Sequence, residues 1–352
     1  MKRDQSFAPP RKALILKPCC LSQVLLATPL LAVLSETFPQ ARFDWAVSEW
    51  ARQAIAANPR LKELIPTGRV GLPGGRWADV RQLAQQLRQE EYDTCFIPSR
   101  SGWLGLAAWL AGIPRRIGLN VGGRGLTHTI RVRPPAGQLH EAAVYLSLAR
   151  ALGIEREMGM EYYPPPDDRA AVTQRLVDEL NWLGDAPLIV IHPGGGQNPV
   201  RPDASKRWPP ERFALLGNHL ARAHQARVLL VGATNERPLA QTIAGLMSSP
   251  AVNLAGRLSL GALGALGEVA DLYVGNDTGP THVAAAVGCP TLAIFGPSDP
   301  AVSAPYATKG HVVALWRDGG TPFTWANGVT VSEAIAAADT LLAATKNVKR
   351  ET

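Results

Sequence analysis

Short apolar runs alternate with longer amphipathic stretches along almost the whole chain. Lys12 to Lys17 (KALILK) predicts a strand, and Leu21 to Phe38 behind it predicts a helix. Arg42 to Val47 and Asp93 to Ile97 predict two further strands, the second preceded by helical periodicity over Trp77 to Glu90. At Tyr162 to Asp168 the chain reads YYPPPDD, and three consecutive prolines suit neither a helix interior nor a central strand, so a stiff linker is expected. The rhythm then restarts. Val172 to Trp182 predicts a helix, and Pro187 to Ile191, Arg227 to Val231, Asp271 to Val274 and Thr291 to Phe295 predict strands. Strands alternating with helices of this length imply parallel sheets built from strand–helix–strand units. The expected fold class is therefore α/β with two Rossmann-like domains, over residues 1–163 and 164–330. An alanine-rich C-terminal helix and tail fill 331–352, and periodicity does not say where that helix packs.

Two domains also suit the length of 352 residues, and 46% hydrophobic content provides for large cores. The formal charge of +7 is modest for such a chain. It suits an anionic small molecule or a negatively charged membrane face, and no nucleic-acid-reading motif accompanies it, so no nucleic-acid partner is expected. The longest apolar run, Val24 to Leu34, is interrupted by Thr28 and Pro29 and is too short to span a bilayer. No signal-peptide pattern precedes it, so the expectation is a cytoplasmic protein with at most peripheral contact with the inner face of the cytoplasmic membrane. Of the four cysteines, Cys19, Cys20, Cys95 and Cys289, none forms a CxxC pair. Buried inert thiols are expected, with no bridge between the adjacent Cys19 and Cys20.

Two segments carry the candidate chemistry. In Tyr273 to Pro300 (YVGNDTGPTHVAAAVGCPTLAIFGPSDP) a strand gives way to the polar loop NDTGPTH and then to a small-residue helix. A helix start aimed beyond a strand end presents free N–H groups and partial positive charge, which suits phosphate. Gly279 permits close backbone approach, Pro280 opens the helix without wasting a donor, and Thr278 and Thr281 add hydroxyls. Asp277 is a phosphate-loop residue on this reading and a helix cap on the plainer one. In Ile191 to Pro209 (IHPGGGQNPVRPDASKRWP) another strand leads into Gly194, Gly195 and Gly196, with Lys206 and Arg207 following as cations for a diphosphate. The case depends on both loops leaving one edge of one sheet.

Together these segments resemble glycosyltransferase family 9, the ADP-heptose:lipopolysaccharide heptosyltransferases of the GT-B fold. The matching pieces are KRWP at Lys206 to Pro209, GNDTGPTHVAAAVGCPTLAIFGPSDP, PRRIG at Pro114 to Gly118, and HEAAVYLSLARALG from His140. The resemblance implies parallel sheets facing across a cleft and no metal or other cofactor. The scarcity of Asp/Glu clusters agrees with the latter. It further implies that Lys206 contacts the donor phosphates and that Asp277, Thr278, Gly279 and Thr281 hold the diphosphate and nearby sugar. His282 would brace that loop, Glu236 would hold the nucleotide ribose, and Leu258 would line the base pocket.

One position departs from the family pattern. Where the family carries Gly-Asp after the first strand, with the Asp as base, this chain has Ser22 and Gln23. An amide does not usefully accept a proton at pH 7. Another residue serves as base, or transfer proceeds weakly by positioning, or the chain only binds nucleotide-sugars. Ser22 also suits a helix N-cap. The leading expectation is inverting transfer of a sugar, heptose on the resemblance, from an ADP-sugar to a glycan or glycolipid acceptor. Ser22, Arg100, Arg115, Arg116 and Arg124 are the candidate acceptor contacts, the arginines serving equally well as solvated surface. The alternatives are a non-catalytic nucleotide-sugar binder and an epimerase of the same fold. A nicotinamide dehydrogenase is disfavoured, since KPCCLSQ rather than GxGxxG follows the first strand.

Overall fold

The computed structural model describes residues 7–134, 136–137, 140–195, 204–307 and 311–351, with side chains to residue 345. The chain divides into two compact units, Met1–Glu161 and Tyr162–Thr352. The first holds strands β1 (Lys12–Leu16), β2 (Arg42–Val47), β3 (Leu64–Pro66), β4 (Thr94–Ile97), β5 (Arg115–Leu119) and β6 (Ile130–Val132), in the order β3-β2-β1-β4-β5-β6. The second holds β7 (Leu188–His192), β8 (Arg227–Leu230), β9 (Ala251–Asn253), β10 (Leu272–Asn276), β11 (Thr291–Ile294) and β12 (Val312–Leu315), in the order β12-β11-β10-β7-β8-β9. Every strand pairing in both sheets is parallel. Each unit is thus Rossmann-like. Its sheet grows from a central strand through two neighbours, then crosses over and grows the other way.

That topology explains the unbroken apolar strands. In β7 (LIVIH) all five residues are buried, because alternate side chains serve opposite faces. Ile189 and Ile191 join a core with Trp208, Phe213 and Ile243, whereas Leu188 and Val190 join one with Val172, Leu266 and Tyr273. The C-terminal helix, Val331–Glu351, finds its place here. Its Ala334, Ala338, Leu341 and Leu342 complete the first of these cores. In the first unit, Leu14 and Leu16 pack against Val80, Leu83 and Leu87 of helix Trp77–Gln89 and Leu104 of helix Gly102–Leu110.

Three local features differ from the sequence expectation. The helix expected over Leu21 to Phe38 is two helices, Leu21–Leu25 and Thr28–Thr37. Pro29 lies in the first turn of the second, where its missing N–H leaves no hydrogen bond unmade. The proline run is partly helical for the same reason, with Pro165 the N-cap and Pro166 the first residue of helix Pro166–Gln174. Cys19 and Cys20 are joined as a disulfide, contrary to expectation, the peptide between them being cis with the Cα atoms 3.0 Å apart. Cys95 and Cys289 are free and buried.

Candidate functional site

In an open parallel sheet, ligands bind beyond the carboxyl ends of the strands where the chain reverses its direction of growth. In the second unit that point lies between β7 and β10, which pair directly. The loops after these strands are the two segments singled out from sequence, and both do leave the same edge of one sheet. Asn276, the last residue of β10, ties them together. Its Nδ2 donates to the carbonyls of Pro193 and Gly194, both at 2.9 Å, and its Oδ1 accepts from the Trp208 N–H at 3.0 Å. Sequence reasoning passed over Asn276, although an Asn ending an apolar strand is itself a signal of a buried polar tie.

Helix Gly279–Ala286 opens directly after β10, with Thr278 as N-cap and Pro280 in the first turn. Asp277 does not cap it. Its carboxylate lies 2.5 Å from the Lys206 ammonium, which a 3₁₀ turn, Ala204–Lys206, brings to the loop. Thr281 Oγ donates to the Asn276 carbonyl at 2.6 Å, and the Thr278 and Thr281 hydroxyls lie 3.3 Å apart. His282 is fully buried, its ring nitrogens each 2.9 Å from a carbonyl, of Thr278 on one side and Ser303 on the other. It therefore joins the helix start to the segment after β11.

Glu236 reaches the same edge from the loop after β8. Its Oε2 accepts from the Ala233 N–H at 2.9 Å and lies 3.2 Å from His192 Nε2. Gly194 is glycine for a steric reason, since a Cβ there would sit 1.9 Å from Glu236 Oε1. His192 Nδ1 is buried and has no hydrogen-bond partner among the described residues. Gly195 follows in the same loop, whereas Gly196 lies outside the described residues. Leu258 packs, half-buried, against the core on the Tyr273 side of the sheet.

The corresponding point in the first unit lies between β1 and β4. Gln23 sits in the short helix after β1, and Ser22 is within that helix rather than its N-cap, which is Cys20. Behind Gln23 lies a group that sequence reasoning missed. Lys17 is 4% exposed, and its ammonium donates to Gln23 Oε1 at 3.0 Å and to the Tyr145 hydroxyl at 2.8 Å. Burial pulls its pKa down to about 7, with Glu141 opposing and Arg100 reinforcing the shift. Glu141 forms an ion pair with Arg100 at 2.8 Å. Burial would raise its pKa, but hydrogen bonds from Arg100 and Tyr145 and the charges of Arg100 and Lys17 outweigh that and hold it low.

The four candidate acceptor arginines separate. Arg100, on the loop after β4, belongs to this network. Arg124 lines an open hollow of about 510 Å³ with Ser101, Gly102, Trp103 and Leu106. Arg115 and Arg116 open β5, at the opposite edge of the sheet from Arg100. Arg115 pairs with Asp93 at 2.7 Å, and Arg116 donates to the carbonyls of Thr127 and Ile113. Gly118 of the PRRIG segment makes room for buried His128, whose ring nitrogen would lie 2.5 Å from a Cβ there.

The structure also gathers two acid-bearing groups that the sequence does not advertise. Asp44, Glu63 and Glu90 lie together, with Arg42, Tyr92 and Lys12 as partners. Asp339 lies between His219 and His224, at 2.9 and 2.6 Å.

The profile of glycosyltransferase family 9 (heptosyltransferase) matches residues 80–322. Lipopolysaccharide heptosyltransferase 2 of Escherichia coli K12 is 28% identical over 316 residues, covering 86% of this chain and 88% of that protein. Among solved structures, a family 9 glycosyltransferase from Veillonella parvula aligns with a TM-score of 0.80 and 22% identity, over 94% of this chain and 97% of the other. The E. coli ADP-heptose LPS heptosyltransferase II aligns with a TM-score of 0.76 and 22% identity, over 97% of this chain and all of the other. At that identity the two structures speak for the fold, and the profile match over most of the chain places this protein in glycosyltransferase family 9.

Proposed function

We propose that this glycosyltransferase transfers heptose, with inversion, from ADP-heptose to a lipopolysaccharide-type glycan acceptor on the cytoplasmic side of the membrane. The observation that carries the reading is the Lys206–Asp277 pair at the start of helix Gly279–Ala286, on the edge where β7 and β10 diverge. A diphosphate there meets one ammonium, the free N–H groups of a helix start and two threonine hydroxyls. Glu236 receives the ribose hydroxyls and Leu258 the base. Leaving-group charge is thus met by Lys206 and the helix start rather than by a metal ion. The second unit supplies the donor half of the reaction and the first the acceptor half, with Arg100 and Arg124 available to anionic groups of the acceptor.

Within this reading Gln23 orients the acceptor hydroxyl, and Lys17 is the titratable group in contact with it. A lysine that loses its proton near pH 7 is chemically able to act as base where the carboxylate is missing. The second reading, a nucleotide-sugar binder without turnover, is favoured by one observation: the Gln23 carbonyl is already engaged by Lys17. Incubating purified protein with ADP-heptose and a lipopolysaccharide-core acceptor, and following ADP release with and without EDTA, tests both. Acceptor-dependent release unaffected by EDTA is expected. Tight ADP binding without release favours the binder, and absence of ADP binding by calorimetry removes the donor assignment.

A further inference from the structure

The first unit carries exposed aromatic side chains on two of its helices. Three tryptophans are about half exposed there: Trp77 at 49%, Trp103 at 50% and Trp109 at 52%, with Leu126 at 74%. Trp77 opens the helix that follows β3, and Trp103 lies in the first turn of the helix that follows β4. Their rings are 6.5 Å apart. Trp103 and Leu106 line the hollow together with Arg124, and Trp109 continues along the same helix. Leu126 belongs to the loop over that helix, since the neighbouring Thr127 and His128 contact Gly105. The apolar surface therefore runs from the carboxyl edge of the sheet along the outside of helix Gly102–Leu110.

The chain carries no acidic residue between Asp93 and Glu141, and of the arginines there Arg124 lines the hollow, whereas Arg100 is paired with Glu141 and Arg115 and Arg116 lie at the opposite edge of the sheet. Between Glu63 and Asp79 it carries Arg69 and Arg76 and again no acidic residue. Asp79 is turned back, accepting from the Arg76 N–H at 2.7 Å. Arg69, Arg76 and Arg124 are exposed, and none of the ion pairs among the described residues uses them.

Indole rings with one wet edge and guanidinium groups without counter-ions match the boundary between lipid headgroups and acyl chains. A protein partner would more often meet such tryptophans with acidic side chains of its own in a fixed pattern, whereas an anionic leaflet satisfies arginines at any register. We infer that Trp77, Trp103, Trp109 and Leu126, with Arg69, Arg76 and Arg124, form a docking surface for an anionic phospholipid leaflet. The inference deepens the proposed function, because it rests the acceptor unit on the leaflet that would hold a lipid-linked acceptor.

The test uses the full chain with phosphatidylcholine vesicles, pure or mixed with phosphatidylglycerol, followed by co-sedimentation and tryptophan emission. Binding to the mixed vesicles with a blue shift is expected, weakening as salt is raised. The W77S/W103S/L126S variant should lose at least about tenfold in partitioning. The R69A/R76A variant should lose about fivefold per arginine at low salt and be less salt-sensitive. Unchanged ADP affinity and melting temperature show that both variants are folded. Equal partitioning of the variants and the natural protein overturns the inference, as does failure of the natural protein to bind anionic vesicles. Self-association lost in the same variants, without vesicle binding, also overturns it in favour of a contact between copies. ADP binding and transfer to a soluble core oligosaccharide are measured in parallel. Their persistence without vesicle binding sinks the docking surface alone, and their loss with vesicle binding intact sinks the proposed function alone.

Discussion

Burial makes the charge of Lys17 costly. Its pKa falls from 10.5 in the unfolded chain to about 7 in the folded one, burial being the largest cause. The unfolded state thus holds the proton more firmly between these values, and stability rises with pH across that window. Below about pH 7 both states are protonated and the penalty is full. Replacing Lys17 by Met removes it, so the melting temperature of Lys17→Met relative to the natural protein should be more favourable at pH 6 than at pH 9. A difference independent of pH would show that Lys17 is not the titrating group. Gln23 is the partner that leaves this penalty in place, because an amide offers no charge to offset it. Gln23→Asp should favour the charged lysine and supply the missing carboxylate, raising transfer by up to about 10²–10⁴-fold, with ADP affinity nearly unchanged. Equal turnover of the two proteins on one donor and acceptor would mean that the base lies elsewhere. The absence of the carboxylate is legible in LSQ. The buried lysine beside Gln23 is not, because a Lys ending an apolar strand looks the same in sequence whether it reaches solvent or, as here, Tyr145 and Gln23.

At the scale of elements, the candidate site of the second unit is two loops held by one strand end. The loops are legible because glycine, proline and threonine directly after apolar strands have few plainer explanations, and because parallel strands send successive loops to one edge. Their fastening is not legible, since Asn276 meets Pro193 and Gly194 across more than eighty residues. The same holds for Arg115 and Arg116, whose positions at the opening of β5 rather than its end decide which edge they serve. On the proposed reading Lys206→Ala removes one charge-assisted contact to phosphate and should weaken ADP by about 1.5–3 kcal/mol. Calorimetry with unchanged affinity would remove Lys206 from the site. Gly194→Ala acts differently. A methyl group 1.9 Å from Glu236 Oε1 cannot be accommodated without moving that carboxylate or the loop. A loss of stability of about 1–3 kcal/mol is expected, together with weaker ADP binding. An alanine variant with natural stability and affinity would show that the Glu236 position is not needed for the nucleotide.

Each unit has its own sheet and its own buried core, and the repeated apolar rhythm on both sides of the prolines makes that division readable before any coordinates. The C-terminal helix is the exception, because a small-residue face fits against many surfaces, and only the packing of Ala334, Ala338, Leu341 and Leu342 assigns it to the second unit. Separate cores give the donor assignment a consequence for the whole chain. A ligand that binds only the folded second unit stabilises it by RT ln(1 + [L]/Kd), or about 2.7 kcal/mol at a hundredfold excess over Kd. Amides of β7 and β10 that exchange through unfolding of that unit should then slow by about a hundredfold with ADP present. The sites of direct contact, in Gly194–Gly195, Lys206 and Asn276 through His282, should gain protection at lower occupancy. Amides of β1 and β4 lie in the core of the other unit, so on the proposed reading ADP should protect them far less. Hydrogen exchange followed by mass spectrometry, with and without ADP, separates the two sets of peptides directly. Protection centred on residues 12–47 and 94–119 would assign the nucleotide to the first unit and reverse the donor and acceptor halves. Equal slowing in both units would mean that the two cores unfold as one, and would leave the contact residues alone to locate the ligand.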